Sequence, residues 1–227
     1  VVAGPRMALQ AAGPGPDTVV SRLQTEMLSP SGSPIIPITQ QPFYPELLAV
    51  SQRWRDAPLS RVVGDSPRET LLNFYAVMTR VYNELQFTTK LRDQEAGLFW
   101  SSAARKHIAE ADELFVLAVQ ALDASVFPES VRDDMAQEAA IQLKEVLDYV
   151  LTHSTVPIRI PDQVGLKSLN EQRSKSSETW TIPLTTIALS GEVTDLEVEP
   201  GFLFSGTTVR HVERMYRHIR DLPIVDQ

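Results

Sequence analysis

The sequence predicts a mainly α-helical chain: a helical bundle with a small antiparallel β element and a C-terminal helix, preceded by a long extended Pro-rich arm. Three observations predict it. Nine of the sixteen prolines fall within residues 1–64. From residue 65 to about residue 151, apolar residues recur at helical spacing. After His153 that period gives way to short β-rich runs broken by proline and polar loops.

The arm comes first. Runs such as "GPGP", "SPSGSPIIPITQQPFYPE" and "DAPLS" disfavour helix and sheet interiors and favour extended backbone. Short helical pieces are expected over 18–28, with Val19, Leu23 and Met27 on one face, and for a turn or two over 45–54. An arm without a core of its own is ordered only against something else. It either wraps its own domain or reaches a partner, and Phe43, Tyr44, Leu47, Leu48 and Trp54 are its expected anchors.

Residues 65–227 form the expected folded domain. Its first helix starts at "DSPRETLLNFYAVMTRVYNELQ". Ser66, Pro67 and Glu69 suit N-cap, N1 and N3 of a capping box. Leu71, Tyr75, Met78, Tyr82 and Leu85 make an apolar stripe. A second helical region covers about 95–122, with Ala104, Ile108, Ala111, Phe115, Ala118 and Leu122 inward. "VFPES" breaks the chain and offers Pro128 as the next N1. The third helix runs to about residue 151, with Val131, Met135, Ala139, Leu143, Val146 and Val150 inward. Stripes this broad predict a bundle.

Beyond it, "VPIRIP" reads as extended and "LKSLNEQRSKSSE" as a loop with a turn of helix. "TWTIPLTTIAL" is β-rich, but Pro183 argues against a continuous interior strand. "GEVTDLEVEPG" reads as turn, strand, turn, and "FLFS" as a short strand that pairs back with the 180–189 region. A last helix is expected over 207–221, with Val209, Val212, Tyr216 and Ile219 on one face.

Composition narrows the function. A net charge of −8 argues against a general nucleic-acid binder, which needs a dominant basic face. With no cysteine there is no disulfide scaffold, thiolate metal site or cysteine nucleophile. No apolar run approaches the ~18 residues of a membrane span.

Chemistry-bearing patterns are sparse. His211 and His218 stand seven apart, too far for the adjacent-turn pair of a helical zinc site, and His107 and His153 are unrelated to them in sequence. Asp112/Glu113 and Asp133/Asp134 read as solvated helix faces. The latter suit a helix N-terminus. There is no Gly-rich phosphate loop, and "SGSP" and "SGTT" read as turns. No catalytic, cofactor-binding or metal-binding residue is therefore assigned, and the chain is expected not to be an enzyme. The last helix carries the clearest electrostatic signal. Arg210, Arg214 and Arg217, joined by His211 and His218, form a basic stripe in an acidic chain, suited to an acidic partner or anionic headgroups. The expected partner-binding residues are Phe43, Tyr44, Leu47, Trp54, Arg210, Arg214 and Arg217.

Two stretches carry a resemblance. "DSPRETLLNFYAVM" resembles the start, and "TWTIPLTTIAL…EPGFLFSGTTV…MYRHIRDLP" the end, of the soluble domain that precedes the membrane helices in the small-conductance mechanosensitive channel family. The matching residues are Trp180, Ile182, Pro183, Phe202, Leu203, Phe204, Ser205, Thr208, Val209, Tyr216, Leu222 and Pro223. Thr186 departs from the pattern, where the family usually has an acidic residue. The resemblance implies no catalytic residues. It implies either a stand-alone relative without the channel or an extracytoplasmic, periplasmic sensor domain of such a channel. The opening "VVAGPRMALQAAGPG" is basic and free of acidic residues, and looks like the cleavage region of an algal plastid protein. Together these lead to the expectation of a non-enzymatic linker or scaffold subunit of a large membrane-associated assembly. A phycobilisome or photosystem at the plastid thylakoid is the specific form, with other subunits as partners and no nucleic acid or cofactor.

Overall fold

The computed structural model describes residues 34–57, 60–94, 99–173, 178–191, 201–220 and 222. Its helices are α1 (Tyr44–Asp56), α2 (Pro67–Gln94), α3 (Ser102–Val119), α4 (Arg132–Thr152), α5 (Gln163–Arg173) and α6 (Gly206–Ile219). Short 3-10 turns occur at Ile38–Gln40, Ala124–Val126 and Glu129–Val131. The strands are β1 (Thr179–Thr181), β2 (Ala188–Ser190) and β3 (Leu203–Phe204). The mainly helical class, the small antiparallel sheet and the closing helix are as the sequence predicts. The helix expected over 18–28, the plastid-like opening and the strand expected between Gly191 and Gly201 lie outside the described residues.

Helix α2 is the axis of the molecule. Ser66 caps it, its Oγ accepting from the Glu69 N–H at 3.2 Å. The Glu69 carboxylate reaches back to the Asp65 N–H at 2.8 Å, so the capping box closes one residue earlier than its usual form. The N-terminal half of α2 is buried on almost every side, including Thr70, Leu71, Leu72, Phe74, Val77, Met78 and Val81. Helices α2 and α3 run antiparallel, since Arg80 meets Glu110 while Phe87, further along, meets His107. The expected inward stripes are partly out of phase. Leu85, Val131 and Met135 are exposed. Pro128 precedes a 3-10 turn, and α4 begins only at Arg132.

The arm is corrected over its described part. Residues 44–56 form a 13-residue helix instead of extended chain or a turn or two. Pro45 sits in the first turn, where its missing N–H costs nothing, and no proline follows until Pro58. One face of α1, Leu47, Val50 and Trp54, enters the core with Phe43. Gln41 is buried and accepts from the Ile158 N–H at 2.9 Å. Its segment is tied to the extended 154–161 stretch again by Ile36 N–H to Ser154 O at 2.8 Å. That stretch alternates buried Ile158 and Ile160 with exposed Arg159, as "VPIRIP" predicts.

The sheet has the order β1-β2-β3, all antiparallel. Trp180 faces Leu189, which faces Phe204, so the expected return of the "FLFS" strand onto the 180–189 region is observed. Pro183 marks the turn between β1 and β2. Thr185 N–H returns to Ile182 O at 3.1 Å, and Leu184 takes φ 62° at the position a type II turn normally gives to glycine. Strand β3 also pairs with the α3–α4 connection, through Phe204 N–H to Ala121 O at 2.8 Å and Asp123 N–H to Phe204 O at 3.0 Å.

The opening and closing segments of the domain meet through backbone and side-chain hydrogen bonds. Thr70 Oγ donates to Phe202 O at 2.7 Å and accepts from Gly64 N–H at 2.9 Å. Phe202 N–H donates to Gly64 O at 2.9 Å. Phe74 and Phe204 then pack edge to face at 5.0 Å.

Candidate interaction surfaces

Each residue expected to bind a partner has a clear place. Phe43 and Leu47 are buried, and Trp54 is 1% exposed with its indole N–H donating to Asn73 Oδ1 at 3.3 Å. These three hold α1 onto α2, so they are withdrawn as partner-binding residues, because the chain's own core has already desolvated them. Tyr44 is half-buried and Leu48 largely exposed.

The arginines lie elsewhere, on α6. Ser205 caps this helix, its Oγ accepting from the Thr208 N–H at 3.3 Å. Val209 and Val212 are buried and Tyr216 and Ile219 half-buried, which places the expected apolar face against the bundle, chiefly α4 and the Ala124–Val126 turn. Arg210, Arg214 and Arg217 point to solvent. Arg217 pairs with Glu213 one turn back. Arg210 and Arg214 make no ion pair among the described residues, so a local positive surface remains on the outer side.

Two polar clusters were not legible in the sequence. The first joins α2 to α3. His107 Nδ1 lies 2.6 Å from Glu84 Oε2, and Arg80 bonds Glu110 while its Nε stands 3.9 Å from Glu84. Arg80 also donates to the Trp54 carbonyl in the last turn of α1, where cations are favoured. Ligand atoms of Glu84, His107 and Glu110 lie within 4.8 Å of one another, a donor set of the kind that holds a divalent cation. Here the Arg80 guanidinium supplies the positive charge, and the group works as a clamp among three helices. The signal that could have found it is the pair of spacings Arg80/Glu84 and His107/Glu110, read across an antiparallel helical hairpin.

The second cluster joins α2 to α4. Lys144 is 5% exposed. Its ammonium lies 2.6 Å from Asp148 Oδ1, 4.5 Å from the Tyr75 ring centre and 5.6 Å from that of Tyr82. Tyr82 donates to Glu145 at 3.0 Å. Burial, and then the Asp148 charge and hydrogen bond, push the Tyr75 hydroxyl well above its ordinary value. Burial and Glu145 do the same for Tyr82. Both phenols are held as neutral donors, the opposite of what a tyrosine base requires. In "IQLKEVL" Lys144 stands beside Glu145 and reads as an ordinary solvated helix charge, so the sequence carried no signal for its burial.

An open cleft of about 400 Å³ lies between α1 and the start of α2, lined among others by Glu46, Val50, Arg53, Asp65, Glu69 and Asn73. Its charges are mixed in sign. Glu69 and Asn73 already accept hydrogen bonds, from the Asp65 N–H in the cap of α2 and from the Trp54 indole of α1. No family model, curated protein or solved structure matches the chain.

Proposed function

We propose that this chain is a non-enzymatic domain that works by attachment in a membrane-associated assembly, as the soluble domain of a protein resembling the small-conductance mechanosensitive channels. One observation carries the reading. The two stretches bearing the resemblance, within 65–78 and 179–223, are far apart in sequence yet pack directly on each other through Thr70 with Phe202 and Phe74 with Phe204. The contact is what a shared fold would require, with the start and the end of the domain closing on each other. The polar clusters favour the non-enzymatic side, since each is used to hold helices together.

Of the two forms of attachment, the channel-type domain is favoured over the linker. The linker reading drew on an arm free to bind partners, and residues 43–54 are instead seated in their own core. The plastid, photosynthetic form of that reading rests on residues 1–15, which lie outside the described residues. The outer face of α6, with Arg210 and Arg214, is the surface we assign to an acidic partner. The reading frame of the encoding gene tests the proposal. Two or more apolar spans downstream of Gln227 are expected, and a stop codon directly after it would overturn the channel reading. Recovery of the chain from native membranes with stable soluble partners and no channel sequence would return the argument to the linker.

A further inference from the structure

Helices α2 and α3 bring three metal-type ligands to one place. His107 and Glu110 stand one turn apart on α3, and Glu84 meets them from α2. Metal sites in helical bundles are built in this way, from a carboxylate on one helix and a carboxylate and imidazole three residues apart on the next. The oxygens of the two carboxylates are divided. Arg80 bonds Glu110 through Oε1, and its Nε stands 3.9 Å from Glu84 Oε1. Glu84 Oε2 turns instead to His107 Nδ1 at 2.6 Å, and Glu110 Oε2 makes no hydrogen bond among the described residues. Each carboxylate therefore has one oxygen on the arginine side and one left for another ligand. Phe87 packs edge-on against the imidazole, ring centres 4.7 Å apart, and sets its plane. The charge is also incomplete. Glu84 and Glu110 bring two negative charges and Arg80 one positive charge, so the set is one positive charge short while His107 is neutral. Among the described residues no other arginine or lysine pairs with either carboxylate. The Glu84 side chain is 18% exposed and that of Glu110 33%, so solvent screens this shortfall only in part.

We infer that Glu84, His107 and Glu110 bind a divalent first-row transition ion such as Zn²⁺, and that Arg80 orients the two carboxylates from behind. The donor set selects the class of ion. Imidazole nitrogen suits zinc and its neighbours, whereas magnesium and calcium take oxygen ligands. Three protein ligands leave the fourth position of a tetrahedral ion to water. Ligand atoms at about 2.0–2.2 Å from such an ion stand roughly 3.4 Å apart. The observed separations run from 2.6 Å for His107 and Glu84 to no more than 4.8 Å within the set, so they bracket that spacing and side-chain rotation reaches it. Arg80 does not compete for the ion's position. Its guanidinium holds the Trp54 carbonyl and Glu110 Oε1, the outer arrangement in which a ligating carboxylate is itself hydrogen-bonded. The ion supplies the missing positive charge and ties α2 to α3 at the point where Arg80 already ties both to α1. It is a structural staple, stabilising the fold because the unfolded chain does not bring the three ligands together. The inference does not depend on the channel-type reading above.

Titration of the full chain, freed of metal with a chelator, tests it. Zn²⁺ should bind with a single equivalent and a Kd of about 10 μM or tighter. At about a hundredfold excess over Kd, Tm should rise by roughly 5–10 °C, and Mg²⁺ and Ca²⁺ should leave it unchanged. The ring NMR signals of His107 should shift on adding Zn²⁺, while those of His153, His211 and His218 stay in place, a readout that needs no variant. His107→Gln and Glu84→Gln should each weaken binding about tenfold or more and lose the Zn²⁺-induced rise in Tm. Each variant is compared with itself in chelator, so loosening of the clamp is separated from loss of the ion. His211→Gln/His218→Gln should bind as the wild type does. Failure of the wild-type chain to bind Zn²⁺ would overturn the inference, and so would a shift confined to the ring signals of the other histidines. Binding that survives His107→Gln and Glu84→Gln but disappears in His211→Gln/His218→Gln would place the ion on α6 and overturn it equally.

Discussion

Tyr75 donates its hydroxyl hydrogen to Asp148 across 2.7 Å, and the Lys144 ammonium that pairs with the same carboxylate sits 4.5 Å from the Tyr75 ring. Phenol, carboxylate and ammonium thus form one partly buried unit between α2 and α4. Because burial and Asp148 hold the folded Tyr75 above the ordinary phenol value of 10.0, the unfolded chain ionises first. The stabilisation is intact below about pH 10 and is lost as pH rises beyond it. Thermal melts should therefore show Tm falling above about pH 10. In Tyr75→Phe/Tyr82→Phe that alkaline fall should be shallower. At neutral pH, Tyr75→Phe alone should cost about 1.5–3 kcal/mol, the worth of a hydrogen bond to a charged group. An unchanged alkaline limb in the double variant would show that these phenols are not the groups responsible.

Thr70 serves two backbone groups at once, Gly64 N–H and Phe202 O, and is fully buried. Thr70→Val keeps the shape and strands both. The expected loss is about 2–4 kcal/mol, or a Tm drop of roughly 4–16 °C for a chain of this size. Thr70→Ser, which keeps the hydroxyl, should recover most of it.

Trp54 decides whether α1 belongs to the domain or to a partner. Trp54→Ala should destabilise the isolated chain by about 3–5 kcal/mol, as large core truncations do. A variant with wild-type stability that loses a binding partner would reverse the assignment made above.

At Gly206 a Cβ would run into Val126 Cγ1 and stand 2.8 Å from Asp123 Oδ2. Gly206→Ala should push the start of α6 away from the Ala124–Val126 turn and cost about 1–3 kcal/mol by overpacking, despite the better helix propensity of alanine. Denaturant melts measure this directly.

Arg210→Ala/Arg214→Ala/Arg217→Ala should leave Tm within a few degrees, since all three side chains are exposed and the one ion pair lost is a surface pair. Association with an acidic partner should weaken, most clearly at low salt. A large loss of stability would show the stripe to be part of the fold.

The helices were legible because their apolar periods are long, yet the phase of α2 was not. The stripe read from Leu71, Tyr75, Met78, Tyr82 and Leu85 has its true centre nearer Phe74 and Val81, with Tyr75 and Tyr82 turned toward the polar side chains of α4. A helix enclosed by α1, α3, α4 and β3 has no single inward face, so its period carries little phase information. Helix α4 misled differently. Val131 and Met135 look like its first inward residues, but Val131 lies in the 3-10 turn before Arg132, and Ala136, Ala140 and Leu147 join the expected Ala139, Leu143 and Val146 in the buried set. The basic face of α6 was legible because it lies within one helix. The Glu84–His107 contact spans two helices, and no local pattern states the register in which they pair. The exposure of Phe99 and Trp100 was invisible for another reason: no local pattern states whether an aromatic next to a helix cap is covered.

The bridge from Phe204 to Leu122 and Ala121, with the Phe74 contact, has a consequence for how the protein is made. The α2–α3 hairpin relies on neighbouring sequence and can assemble while the ribosome is still working. Its apolar flank around Phe74 stays uncovered until residue 204 and the first turns of α6 have left the exit tunnel. Until then the nascent chain presents a sticky, half-finished surface, the kind of species that needs protection from aggregation. Truncation before residue 203 would hold the α2–α3 hairpin in that unfinished form, so synthesis through β3 and α6 governs whether the earlier helices are ever covered.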